Sequence, residues 1–444
     1  MILTLAQALR TSQTDCIAFI GSGGKTTALF QLAKQMTPPV VIAVAAHLGI
    51  WQTSLASKHI VARSSNDLID LKNALSDVTL ITGEIEGDRA ASVSDETLKT
   101  LHQFCAQRSI PLLLEADGSR QRPLKGWAAH EPPIPNFTNH VVAVAGLSGL
   151  GKPLNAEFVH RPEAFERISG VKSGEIVDAH ALTRALLHAQ SGVKNIPPSA
   201  RKTILLNQAD TPELQANAKT MAKKLRSAYH ATVIASMKQN EIYAAYESTA
   251  GIILAAGEAA RYGQPKQLLD WNGEPFIRVV VKRALEAGLS PVVVVTGANA
   301  EQVEAPIGDL NVTLARNNEW QSGQSASVKA GIRTLHTTDP NAGAAIFLLV
   351  DQPQITVSIL QALAEKHAEG LYSAVVPLAM GRRANPVLFD RRTFADLLTL
   401  EGDTGGRAIL HKRRVEFLPW HDERLLLDVD TPEHYQRLLA SEGR

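Results

Sequence analysis

With 444 residues the chain has room for roughly two or three domains, and its 45 Lys and Arg against 44 Asp and Glu leave a formal charge of +1. That balance gives no electrostatic reason to expect nucleic acid or a membrane as a partner. Two cysteines, Cys16 and Cys105, exclude a disulfide framework and a multi-cysteine zinc or iron–sulfur site and fit a reducing compartment.

In chain order, short apolar runs predict strands at Cys16–Ile20, Val40–Ala45, Val78–Ile81, Leu112–Glu115, Val141–Val144 and Thr203–Leu206. The gaps leave room for helices, and near-continuous Val, Ile and Leu suit parallel strands covered on both faces. A polar stretch, Lys238–Thr249, with a helical-looking middle at Glu241–Tyr246, reads as a linker. The proline cluster Glu131–Pro135 reads as a rigid loop crossing the surface of the first domain. The pattern then restarts with strands at Gly251–Ala256, Pro291–Thr296, Ala344–Val350 and Ala374–Pro377 and helices at Phe276–Ala287 and Ser358–Glu369. Two α/β domains are expected, over 1–240 and 248–444. No apolar run approaches the roughly 20 residues of a membrane helix. The N-terminus lacks a basic region followed by an apolar stretch and a cleavage site, so a cytoplasmic protein is expected.

In the first half a strand runs into Gly21-Ser-Gly23-Gly24-Lys25-Thr26-Thr27, just before the amphipathic segment Leu29–Met36. A glycine loop opening a helix, followed by Lys and Thr, is the P-loop arrangement. Backbone amides cradle phosphates, Lys25 reaches the outer phosphate oxygens, and the Thr26 hydroxyl ligates magnesium. The match is not strict, because the first glycine of the full pattern would fall at Phe19. The strand Leu112–Glu115 leads to Asp117, and either Glu115 or Asp117 is the magnesium-facing carboxylate. The run Leu205-Leu-Asn207-Gln208-Ala-Asp210 is similar to the element by which GTPases read guanine, with Gln208 replacing Lys; a plain turn after a strand is the competing reading. Lys125, Arg120 and Arg161 are candidate anion contacts, against solvated surface charges. His130, His140 and His160 lack the spacing of a metal site and read as loop or core histidines.

In the second half the strand Gly251–Ala256 enters a small-residue loop, Leu254-Ala255-Ala256-Gly257, with Arg261 and Lys266 beyond it. Small side chains let backbone amides approach an anion, and the two cations supply charge to a triphosphate. Downstream, Asp351 follows a buried strand, where α/β sheets place ligands, and magnesium takes one or two such carboxylates. A capping role for Asp351 is the competing reading. Alternation puts Asp428 and Asp430 on one strand face, with Thr431 or Asp430 also able to cap a last helix starting near Pro432.

The second half, about residues 250–440, resembles the nucleotidyltransferases of the MobA/MocA group, and most of all the molybdenum cofactor cytidylyltransferases. The resemblance rests on Leu254–Gly257 with Arg261, Gly263 and Lys266; Asn318–Gly323 followed by Ser327; Asp351-Gln-Pro353; Asn385-Pro-Val-Leu388; Gly402–Gly406; and Asp428–Glu433. It implies a nucleotide-diphospho-sugar transferase (Rossmann-like) fold and transfer from CTP to molybdopterin with Mg2+. Ala255–Gly257, Arg261 and Lys266 would receive the CTP phosphates, Asp351 with Asp428 or Asp430 would hold the metal, Ser327 and the Trp320–Gly323 loop would shape the nucleotide pocket, and Asn385 and Asp403 would face the pterin. Ala259 replaces a usual serine and Ala384 a usual glycine.

The first half, about residues 1–240, resembles the YqeC family of selenium-dependent hydroxylase accessory proteins, on Gly21–Thr27, Glu115–Lys125 continuing to His130-Glu-Pro133, Gly151-Lys-Pro-Leu154, His160-Arg-Pro-Glu163 and Asn207–Asp210. Together the resemblances imply a P-loop-like nucleotide-binding domain, holding a second nucleotide, joined to a cytidylyltransferase that serves a client molybdenum hydroxylase. The alternatives are transfer to another phosphorylated acceptor, and a nucleotide-dependent cofactor chaperone or regulatory binding protein that does not turn over.

Overall fold

The computed structural model describes residues 3–258 and 264–441, leaving aside the side chain of Lys412. The chain divides between Tyr246 and Glu247 into two compact α/β units. Among the described residues no helix is long and apolar enough to cross a membrane.

The first unit is built on β1 (Cys16–Gly21), α1 (Lys25–Gln35), β2 (Val40–Val44), β3 (Lys58–Val61), β4 (Val78–Thr82), β5 (Leu112–Glu115), β6 (His140–Gly146), β7 (Arg201–Asn207), β8 (Ala231–Ser236) and β9 (Glu241–Glu247). They form a nine-stranded sheet in the order β9-β8-β7-β6-β1-β5-β2-β4-β3. Strands β1 and β2 flank β5, pairing it in parallel from both sides. Ile17, Ala18, Phe19 and Ile20 of β1 are fully buried, which is why both faces of that run had to be apolar. This arrangement brings the glycine loop after β1 beside the carboxylates at the end of β5.

Three expectations are corrected here. Glu241–Glu247 is not helical but the edge strand β9, reached through a short turn in which Asn240 has φ 57°. Its Ile and Tyr residues favour a half-covered strand over a helix. The Glu131–Pro135 segment does not simply cross the surface, because Glu131 and Pro132 are buried. Lys125 is neither a surface charge nor an anion contact: it is 3% exposed and bonded inside the protein.

The second unit contains β10 (Thr249–Ala255), α2 (Phe276–Glu286), β11 (Val292–Thr296), β12 (Thr313–Arg316), α3 (Gln324–Thr338), β13 (Ala344–Leu349), α4 (Val357–Gly370), β14 (Ala374–Ala379), β15 (Arg382–Arg383), β16 (Val387–Asp390), β17 (Val415–Trp420) and α5 (Pro432–Ala440). The strand order is β12-β11-β10-β13-β16-β14-β15, with β17 beside β14. Strands β10 to β13 pair in parallel, whereas β16 runs antiparallel to both neighbours. After β10 the chain moves outward to β11 and β12 and returns to β10's other side as β13. The carboxyl ends of β10 and β13 therefore flank a topological switch point.

Residues 427–430 form no strand, so Asp428 and Asp430 do not share a strand face. Thr431, not Asp430, caps α5 through its hydroxyl, which accepts from the His434 amide.

Candidate functional site

In the second unit, the switch point opens into a cavity of about 460 Å³ lined by Leu254, Ala256, Gly257, Lys266, Ser327, Asp351 and Asp403 among others. The Lys266 ammonium donates to Asp351 at 3.1 Å and to Asp430 at 2.7 Å. Burial opposes the charge on Lys266, but the two carboxylates outweigh it and hold the ammonium above the usual lysine range. Burial likewise pushes the Asp351 carboxyl up, with Lys266 working against it. Asp351 Oδ1 is buried and has no hydrogen-bond partner among the described residues.

The neighbouring side chains fix this arrangement. Gln267 is 2% exposed, and its amide nitrogen donates to the carbonyls of Ala255 and Gly257 at 2.9 and 2.7 Å, holding the small-residue loop open. Gln352 donates to Asp428 at 2.6 Å, and the Val429 amide bonds to the Asp351 carbonyl, which ties the C-terminal segment to the end of β13. At the start of α3, Gly323 has φ +107°, and a Cβ there would lie 2.5 Å from the Gly402 carbonyl. That close approach lets Asp403 accept from the Gln324 amide at 3.3 Å. A smaller cavity of about 260 Å³ adjoins through shared Leu254, Gln324 and Leu349, and carries Asn385, Arg407 and Asp428 on its wall.

In the first unit, a cavity of about 820 Å³ lies above the glycine loop. Gly21, Gly23 and Gly24 all have positive φ, as a loop turning sharply from strand to helix requires. The amides of Gly21, Ser22 and Gly23 bond to Asp117, the Val144 carbonyl and the Arg122 carbonyl. The amides of the first turn of α1, at Lys25, Thr26 and Thr27, have no partner within the helix, and these residues line the cavity. Lys25 Nζ donates to the Gly21 carbonyl at 2.8 Å and stands 3.3 Å from Asp117. Thr26 donates to the Glu115 carboxylate at 2.9 Å. Burial holds the Glu115 carboxyl above its usual range, opposed by Lys25 and Thr26.

A family model described as a MobA-like NTP transferase domain matches residues 251–417, and a YqeC protein model matches residues 17–163. A nicotine blue oxidoreductase of Paenarthrobacter nicotinovorans is 33% identical over 200 residues, covering 43% of this chain and 95% of that protein. YqeC of Escherichia coli is 28% identical over 199 residues, 43% of this chain and 75% of its own. The molybdenum cofactor cytidylyltransferase of Escherichia coli is 26% identical over 186 residues, 41% and 92% respectively. The chain belongs to the MobA-like NTP transferase family, with a YqeC domain ahead of it.

Within the MobA-like unit the structure gathers Leu254, Ala255, Ala256, Gly257, Lys266, Ser327, Asp351, Asp403 and Asp430 around one cavity or its neighbours, while Asn385 and Asp428 border the second cavity. Ser327 is buried and accepts from Asn317 at 3.0 Å. Arg261, Gly263 and Ala259 lie outside the described residues. No group of three or more His, Cys, Asp or Glu forms a ready metal cage among the described residues. Lys266 stands between Asp351 and Asp430, and Asp428 turns to Gln352 instead.

Within the YqeC unit two tasks differ from those expected. Asp117 is not free to face a metal: it is 1% exposed and accepts from the Gly21 amide, Lys125 Nζ and Trp127 Nε1, with Lys25 close by. Of the two carboxylates, Glu115 is the one turned to the Thr26 hydroxyl. Asn207 is buried, its amide donating to the Gly23 carbonyl at 2.7 Å and accepting from the Met237 amide, while Asp210 is exposed. Asn207 thus braces the loop. His140 is a core residue bonded to Thr203, whereas His130 and His160 line the cavity. Arg161 pairs with Glu131.

Sequence reading passed over Gln267 and Gln352. Each directly follows a singled-out residue, Lys266 and Asp351, and only Gln352, just past the apolar run Ala344–Val350, carried a sequence signal.

Proposed function

We propose that the MobA-like unit is a magnesium-dependent cytidylyltransferase acting on molybdopterin, and that the YqeC unit binds a second nucleoside triphosphate through Lys25–Thr27. The observation that carries the first reading is Lys266 held between Asp351 and Asp430 at the mouth of the switch-point cavity, with Asp351 Oδ1 buried and unpaired among the described residues. The name of the Escherichia coli relative supports CTP and the cofactor as substrates.

Hard oxygen donors suit Mg2+, which keeps several waters and needs only one or two carboxylates. Asp351 fits that role, with Asp428 or Asp430 beside it, and the ion would supply charge neutralisation at the triphosphate. The chain's own part is to bind and align. The backbone of Ala255–Gly257, held by Gln267, faces the phosphates. Lys266 releases one of its two carboxylates and neutralises charge on them. A terminal phosphate oxygen of molybdopterin forms a bond to the α-phosphorus of CTP. The bond from that phosphorus to the bridging oxygen breaks, and pyrophosphate leaves. The attacking phosphate is already ionised near neutral pH, so no side-chain base is required. Asn385 and Asp403 are assigned to the acceptor side.

Incubating the full chain with CTP, Mg2+ and molybdopterin tests the reading. Pyrophosphate and a cytosine dinucleotide identified by mass spectrometry are expected. Tight binding of both substrates without pyrophosphate would favour a cofactor chaperone, and product only with another phosphate ester would change the acceptor.

A further inference from the structure

The cavity of the YqeC unit has one wall unlike the rest. Most of its lining is charged or polar, with Lys25, Glu115, Arg120 and His160 among the residues. Trp51 also lines it and is 61% exposed, an unusual state for the largest apolar side chain. The indole is held from behind. A Cβ on Gly49 would lie 2.8 Å from Trp51 Nε1 and 3.2 Å from Cδ1, so the bare glycine backbone lets the pyrrole edge of the ring sit close against it in this rotamer. The Gly49 segment is itself fixed: Leu48–Gly49 pairs with Arg89–Ala90, and the Gly49 amide donates to Gln52. Trp51 therefore presents an open surface on a braced support. The cavity's roughly 820 Å³ also exceeds what a triphosphate alone would fill.

We propose that Trp51 is the stacking platform for the base of the nucleotide whose phosphates occupy the first turn of α1. An aromatic face accepts any planar heterocycle and adds affinity without choosing among bases. The inference rests on the reading of Lys25–Thr27 as a phosphate site, and its test separates the two claims. ATP, GTP and inorganic tripolyphosphate are titrated by calorimetry into the full chain with Mg2+. The binding component lost in Lys25→Ala is assigned to this cavity. That component is expected to favour ATP and GTP over tripolyphosphate by at least tenfold. Trp51→Ala should bring the three ligands within about threefold of one another while leaving tripolyphosphate affinity within about twofold, and Trp51→Phe should keep most of the preference. If Lys25-dependent tripolyphosphate binding persists but Trp51→Ala leaves the nucleotide preference intact, the platform is wrong and the phosphate site stands. If no component depends on Lys25, the phosphate site falls and the platform with it.

Discussion

The side-chain amide of Asn207 lies 2.7 Å from the carbonyl oxygen of Gly23, joining two segments 184 residues apart. The same amide nitrogen would be 2.4 Å from a Cβ on Gly24, whose φ is +110°. The glycine loop is thus shaped by a strand end far along the chain. Gly24→Ala meets both the backbone conformation and the Asn207 amide, so it should destabilise the first unit by about 1–3 kcal/mol. Chemical denaturation would show the loss. Asn207→Ala, which removes the obstruction, should make the added cost of Gly24→Ala smaller, because the two sites are in contact.

Asp351→Asn retains size and removes a charge from the mouth of the switch-point cavity. Turnover from CTP should fall about a hundredfold or more, with unchanged circular dichroism. Lys266 would keep its bond to Asp430, so folding should survive. A variant with wild-type turnover at limiting Mg2+ would remove Asp351 from the proposed site.

Lys25→Ala should abolish nucleotide binding by the YqeC unit and leave cytidylyl transfer by the full chain within about twofold of wild type. The reason is that Lys25 interacts with Gly21 and Asp117, both within its own unit. Steady-state rates of pyrophosphate release are the measurement. A parallel loss of both functions would mean that the two sites do not act independently.

Preference for CTP over GTP is expected to exceed tenfold. Ala256 is 4% exposed and lines the switch-point cavity, and on the proposed reading its methyl would narrow the space open to a base. One methyl discriminates by only about 1–3 kcal/mol, so Ala256→Gly should relax the preference without reversing it. Competition between equal concentrations of CTP and GTP, read as the dinucleotide formed, decides. Mostly guanylylated product would overturn the assignment of CTP.

His140 gives the first unit a pH-dependent stability. Its imidazole is pushed down from 6.5 to about 3 by burial, with Arg201 and His230 adding to the effect. The unfolded chain therefore binds a proton near pH 6.5 that the folded chain refuses until about pH 3. Stability from this group is complete above pH 6.5 and declines as pH falls through that window. At about 1.4 kcal/mol per pH unit, the loss between pH 7 and pH 4 is about 3 kcal/mol. Denaturant midpoints at the two pH values would measure it, and His140→Gln, which cannot take the proton, should show a shallower dependence.

The central strands and the order of the chemical groups were legible in the sequence. Runs such as Cys16–Gly21 and Ala344–Leu349 are apolar on both faces because helices or loops cover both sides of a parallel sheet, and that requirement is written residue by residue. The glycine loop before Lys25 was legible for a similar reason, since a sharp turn beside a charge is a local pattern. The edge strand Glu241–Glu247 was not, because its covering comes from one side only and its short run of Ala and Tyr also fits a helix. Which partner each charged group meets was decided only by tertiary structure. Asp117 looked like a metal-facing carboxylate until folding surrounded it with the Gly21 amide, Lys125 and Trp127. Lys125 looked like a candidate anion contact, with a surface charge as the alternative, until burial joined it to Asp117. Lys266 meets Asp430 across 164 residues of chain, and Thr26 meets Glu115 across 89. A side chain's type and neighbours in sequence determine which interactions it is able to make. Which of them it makes depends on the partners and the loss of water that distant segments impose when they pack.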